Sequence, residues 1–154
     1  MDEEIPIQSP PWQGFHHLAL VTTNLDETVS FYIDLLGMQL HEMGIRPATP
    51  MHGRHAMIKP GACESWGLHF FEQLDAHIYT HPEALQRMVF VSGAMQHISF
   101  GLPDEEAALA FRERLITNGV PTTPIIKQGP LSLLQFPDNN GIMLEVIWPR
   151  RESA

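Results

Sequence analysis

One unit of grammar occurs twice in this 154-residue chain: strand, helix, three strands, then the same order again. Two units of this size are small enough that they must share a core. In the first copy "FHHLALVT" (15–22) reads as a buried strand. "TNLDETVSFYIDLLGM" (23–38) carries helix punctuation: Thr23 or Asn24 as N-cap, Asp26 and Glu27 in the first turn, Gly37 at the exit. Leu25, Val29, Tyr32, Ile33 and Leu36 fall at helical spacing and define one face to bury. From Gln39 to Gln73 short apolar runs alternate with turn signals, and three strands are the economical reading, the last being "WGLHFFEQ" (66–73).

The second copy begins with the strand "MQHISFGL" (95–102), followed by the helix "PDEEAALAFRERLITNG" (103–119). "VPTTPII" (120–126), "GPLSLLQF" (129–136) and "GIMLEVIW" (141–148) are read as three strands, with "PDNNG" turning into the last. Residues 1–13 read as a flexible arm, and 14–150 as a single domain of two βαβββ modules, about 14–78 and 94–149. Between them "THPEALQRMVFVSGA" (80–94) reads as a short helix opened by Pro82 and Glu83, or as a strand at "MVFV".

Laying the first strand of one copy on the other matches His17 to His97 and His16 to Gln96. Strand alternation then puts Phe15, His17 and Ala19 on one face, against Met95, His97 and Ser99. The bulkier set (Leu18, Leu20, Ile98, Phe100) belongs against the helices. His17 and His97, with small neighbours, line an open face; His16 reads as structural or edge-exposed. Glu145 is a lone carboxylate in an apolar strand, a placement that requires pairing or a cation. Cys63 has no basic neighbour to activate it, and Asp104, Glu105 and Glu106 form a solvated first helical turn.

A formal charge of −9 argues against a nucleic-acid or anionic-membrane surface. No apolar stretch is long enough to span a bilayer, and "MDEEIPIQSPP" resembles no signal peptide. One cysteine excludes an internal disulfide framework, so a cytoplasmic location is expected. The nine histidines are many for this length and point to chemistry.

Three pieces in order, "HHLALVTTNLDETVSFYIDLLGM", "QHISFGL" and "FPDNNGIMLEVI", resemble the vicinal-oxygen-chelate superfamily of glyoxalases, bleomycin-resistance proteins and extradiol dioxygenases. The resemblance spans Phe15 to Trp148; the one departure is the Pro137–Gly141 turn, where the superfamily usually has an earlier glycine. It implies an α+β fold in which two βαβββ modules form a curled mixed sheet. Carried over by position, it implies the metal ligands His17, His97 and Glu145, one divalent ion per chain (Fe(II) preferred; Mn, Zn, Ni or Co as alternatives), a small-molecule substrate and a homodimer.

Relatives with a fourth protein ligand carry it on the strand matching "WGLHFFEQ". Aligning Gly67 with Gly141 sets Phe71 opposite Glu145, with His69 on the same face and Glu72 turned away; a one-residue bulge would bring Glu72 in. Three ligands are therefore expected, with His69 the foremost catalytic acid–base group and His52 and His55 behind it. The favoured activity is dioxygenase-like chemistry on a substrate held through two oxygen atoms. The alternatives are a glyoxalase or isomerase, a fosfomycin-type transferase (Arg46, Arg54, Lys59 and Lys127 being the cations at hand), and a metal-free ligand-sequestering protein.

Overall fold

The structure is a computed structural model that describes residues 10–76 and 95–150. Most of the expected arm and the whole of 80–94 lie outside those residues. The first module consists of β1 (His17–Thr22), α1 (Leu25–Ser30) with a π-helical turn (Phe31–Leu35), β2 (Gln39–Leu40), β3 (His55–Lys59) and β4 (Gly67–Glu72). The second consists of β5 (Ile98–Gly101), α2 (Glu105–Thr117), β6 (Ile126–Gln128), β7 (Leu131–Pro137) and β8 (Met143–Pro149). Each module is a four-stranded mixed sheet, ordered β1-β4-β3-β2 and β5-β8-β7-β6, in which the first strand pairs parallel with the last. The α+β, twice-βαβββ expectation therefore holds, as two sheets edged among the described residues by β1 and β2 and by β5 and β6.

Local chemistry explains the element ends. Asn24 is the N-cap of α1, its side chain accepting from the Glu27 N–H at 3.1 Å. Asp104 caps α2 in the same way through the Ala107 N–H at 2.9 Å. Gly37 and Gly119 leave the two helices with φ of 73° and 74°, a conformation glycine adopts without penalty. One expectation fails locally. "VPTTPII" is strand only from Ile126, because Pro121 and Pro124 carry no N–H for a ladder. Thr123 substitutes for one rung: its N–H donates to the Gln135 carbonyl and its hydroxyl accepts from the Gln135 N–H, both at 2.9 Å.

The alternation read in the first strands is present. Leu18, Leu20, Ile98 and Phe100 pack on the core, while Phe15, His17, Ala19 and Ser99 are exposed. A single apolar cluster joins both modules, from Leu25, Tyr32, Ile58 and Phe70 to Leu115, Leu134, Phe136, Leu144 and Trp148.

A polar seam locks them together. The Tyr32 hydroxyl donates to Asp138 Oδ2 at 2.9 Å, Asn139 Nδ2 donates to Thr28 Oγ1 at 2.9 Å, and Thr22 Oγ1 donates to Asn140 Oδ1 at 2.8 Å. The variant turn before β8 thus latches the second module onto α1 of the first. Burial raises the pKa of Asp138, and burial beside Asp138 raises that of Tyr32. Tyr32→Phe leaves Asp138 Oδ2 buried without its donor, and should lower stability by about 1–3 kcal/mol in urea unfolding followed by circular dichroism.

Candidate metal centre

The parallel pairings decide which side chains share a face. In the second module Ser99 lies opposite Glu145; in the first, Ala19 lies opposite His69. Since Ala19 and Ser99 are repeat mates, His69 is the repeat mate of Glu145. The ladder moves the alignment by two residues from the one made on Gly67 and Gly141, which had set Phe71 there. The shift arises in the loops, since eight residues separate Lys59 and Leu68 where six separate Phe136 and Met143. The result is two equivalent pairs on two sheets: His17 with His69, and His97 with Glu145.

The second pair is tightly built. Glu145 is 5% exposed; its Oε1 accepts from Ser99 Oγ at 2.7 Å and its Oε2 from Gln135 Nε2 at 3.0 Å. His97 Nε2 lies 3.6 Å from Oε1, and His97 Nδ1 is engaged by Gln96 Oε1. Gln135 was missed in the sequence, although a hairpin centred on Asn140 places it opposite Glu145.

The first pair sits in a field of rings. His17 lies 5.5 Å from His69 between centroids, and Trp66, Phe71, His55 and His52 continue the cluster. His17 Nδ1 is 2.9 Å from His16 Nδ1, and His69 Nε2 is 2.8 Å from His55 Nδ1. His69 is 6% exposed, and its Nδ1 is buried with no hydrogen-bond partner among the described residues. Burial, then the neighbouring His55, His17 and His52, depress its pKa to about 4, so it is neutral at pH 7.

The donor set fits a divalent transition metal: three imidazoles and a carboxylate, each held by a polar partner, and one buried imidazole nitrogen that nothing among the described residues satisfies. Among the described residues no three His, Cys, Asp or Glu side chains gather closely enough to hold an ion.

Glu72 has another task. β4 runs without a bulge, and the Glu72 carboxylate accepts from Arg54 Nε at 2.8 Å, Arg54 Nη2 at 2.7 Å and the Leu25 N–H at 3.0 Å. Arg54 also holds Asp26 at 2.9 Å. The cation is therefore spent on carboxylates and is no cradle for a phosphonate. Cys63 Sγ lies 2.9 Å from Ser65 Oγ.

With this geometry in hand, the chain belongs to the Glyoxalase/Bleomycin resistance protein/Dioxygenase superfamily, whose family model matches residues 14–146. Among solved structures it is similar to a glyoxylase/bleomycin resistance protein/dioxygenase domain from Frankia sp. EAN1pec, with 20% identity, TM-score 0.70, and 92% and 96% of the two chains covered. It is also similar to a lactoylglutathione lyase from Agrobacterium tumefaciens (17%, TM-score 0.58, 90% and 96%). A third is TnmS3, an antibiotic binding protein from Streptomyces sp. CB03234 (15%, TM-score 0.62, 92% and 100%). At these identities the likeness establishes the fold. A search of curated proteins by sequence gave no match. No helix among the described residues is long and apolar enough to cross a membrane.

The Arg54 fork lowers the Glu72 pKa from 4.5 to about 2, chiefly through its side-chain hydrogen bonds and then the Leu25 N–H. A depressed carboxylate contributes stability above its unfolded pKa and loses it as pH falls through the folded one. Melting temperature should therefore drop between pH 4.5 and 2 in the native chain. In Glu72→Gln that part of the profile should flatten, with a lower melting temperature at pH 7.

Proposed function

We propose that this protein is a divalent-metal-dependent enzyme whose centre is closed by two copies of the chain. His17 and His69 come from one copy, and His97 and Glu145 from the other. The observation that carries the reading is the repeat equivalence of the two pairs: four positions related by the fold's own symmetry all hold metal-binding side chains. Two further features support it. Among the described residues each chain brings together no more than two of the four donors, and β1, which bears His17, and β5, which follows His97, are edge strands of their sheets. One ion per chain results.

An ion held there supplies Lewis acidity, polarising a carbonyl or hydroxyl oxygen of a small substrate bound through two oxygens. The chain's own groups do the rest. Ser99 and Gln135 hold the Glu145 carboxylate in a fixed orientation, and the rings of Trp66 and Phe71 pack beside His17 and His69. His17, His69, His97 and Glu145 would hold the ion with one donor more than the His-His-Glu set of the dioxygenase-like reading, which would leave less of it open to substrate. The proposal therefore favours lyase or isomerase chemistry over the dioxygenase-like branch, and removes the reason to prefer iron. Transferase chemistry on a phosphonate is disfavoured by the engagement of Arg54.

Metal per chain, measured after stripping and reloading with Ni(II), Co(II) or Zn(II), tests this. Glu145→Gln and His69→Phe should each weaken loading by more than tenfold, and Glu72→Gln should leave it unchanged. A chain lacking His17 and His69, mixed with a chain lacking His97 and Glu145, should recover part of the metal that neither binds alone. Full loading of either double variant by itself would sink the shared centre.

A second reading, capture of a ligand without metal, draws on the ring cluster of the first sheet and on the likeness to an antibiotic binding protein. It wins if binding of a planar aromatic compound is indifferent to EDTA.

A further inference from the structure

We infer that His55 is a positioning residue: its ring holds His69 as the Nε2–H tautomer and so leaves Nδ1 as the free lone pair. This rests on the proposal that His69 is a donor to the metal, and concerns how that donor is made ready.

A neutral imidazole carries one N–H, and which nitrogen bears it follows from the partner the ring has. The only hydrogen-bonding partner of the His69 ring among the described residues is His55 Nδ1, 2.8 Å from Nε2. The bond can run two ways. If His55 donated, the proton of His69 would sit on Nδ1, a buried N–H with no acceptor, an arrangement native proteins rarely retain. If His69 donates, Nε2–H is satisfied and Nδ1 is left as an acceptor, which a cation satisfies. His55 then carries its own proton on Nε2. That ring is only partly buried, so its N–H has access to water.

His55 can impose this choice because its own position is overdetermined. Its main chain exchanges hydrogen bonds with Arg46, N–H to carbonyl at 3.2 Å and carbonyl to N–H at 2.8 Å. Its ring stacks on Phe71, with centroids 5.4 Å apart and planes at 15°, and the edge of His52 lies against it at 4.8 Å. The loop before it must run close over β4 at Gly53, where a Cβ would come within 2.0 Å of the Glu72 carbonyl oxygen. His55 faces Phe71 across the β3–β4 ladder, one diagonal step from His69, so backbone register sets the contact.

Long-range ¹H–¹⁵N correlation spectra of metal-free, ¹⁵N-histidine-labelled protein read the tautomer directly, with His69→Phe assigning the signals. Native protein should show His69 Nδ1 as the unprotonated nitrogen. His55→Asn places an amide oxygen near the position of Nδ1 and should preserve that pattern. His55→Phe keeps the ring stack without an acceptor, and should shift His69 toward the Nδ1–H form. Zn(II) affinity should fall about tenfold to a hundredfold in His55→Phe and recover in His55→Asn, a rescue that a purely packing role would not give. A protonated Nδ1 in the native protein overturns the inference, as does a His55→Phe spectrum and affinity identical to native. If the native tautomer is as inferred and moves with His55→Phe, yet no ion binds the native protein, the role of His55 stands and the metal proposal fails.

Discussion

Everything about this site depends on the parallel pairing of the first and last strands within each module. A parallel ladder puts side chains of opposed residues on the same face. The pairing therefore sets Ala19 beside His69 and Ser99 beside Glu145, one residue pair per sheet at equivalent places. A one-residue slip of β1 or β5 would turn His17 or His97 toward the helices and expose Leu18 and Leu20 or Ile98 and Phe100. The apolar side of the strands thus enforces the register that the polar side uses.

The two modules have the same wiring but have diverged in how each side chain's polar needs are met. In the second, the donor face is polar: Ser99 and Gln135 each give one hydrogen bond to Glu145, which makes a buried carboxylate tolerable. In the first, the corresponding face is built from rings, and a neutral imidazole replaces the carboxylate. That trade suits a buried position among other imidazoles, where further positive charge is disfavoured and desolvation keeps His69 unprotonated. The acidic group on the same strand, Glu72, faces the other way and anchors Arg54 and the start of α1.

The seam between modules is likewise asymmetric. The Asp138–Asn140 turn reaches across to Thr22, Thr28 and Tyr32, and the π-helical turn at Phe31–Leu35 lets the chain continue past Tyr32 while that ring stays in the core. The turn that departs from the superfamily pattern is thus the one that joins the halves, with four side-chain hydrogen bonds in place of further apolar contact.

The repeat, the helices with their caps and the inward and outward faces of the first strands were legible in the amino-acid order alone, and that order also offers His17, His97 and Glu145 as candidates. All of these are local or periodic, and periodicity is readable one residue at a time. That His69 is the counterpart of Glu145 in the first module came from the tertiary structure alone, because register across a loop of uncertain length cannot be counted along the chain. The tertiary structure also decided that Glu72 belongs to Arg54 and that Pro121 and Pro124 delay β6. These depend on which backbone groups meet in space, and hydrogen bonds between distant segments leave no period in the sequence.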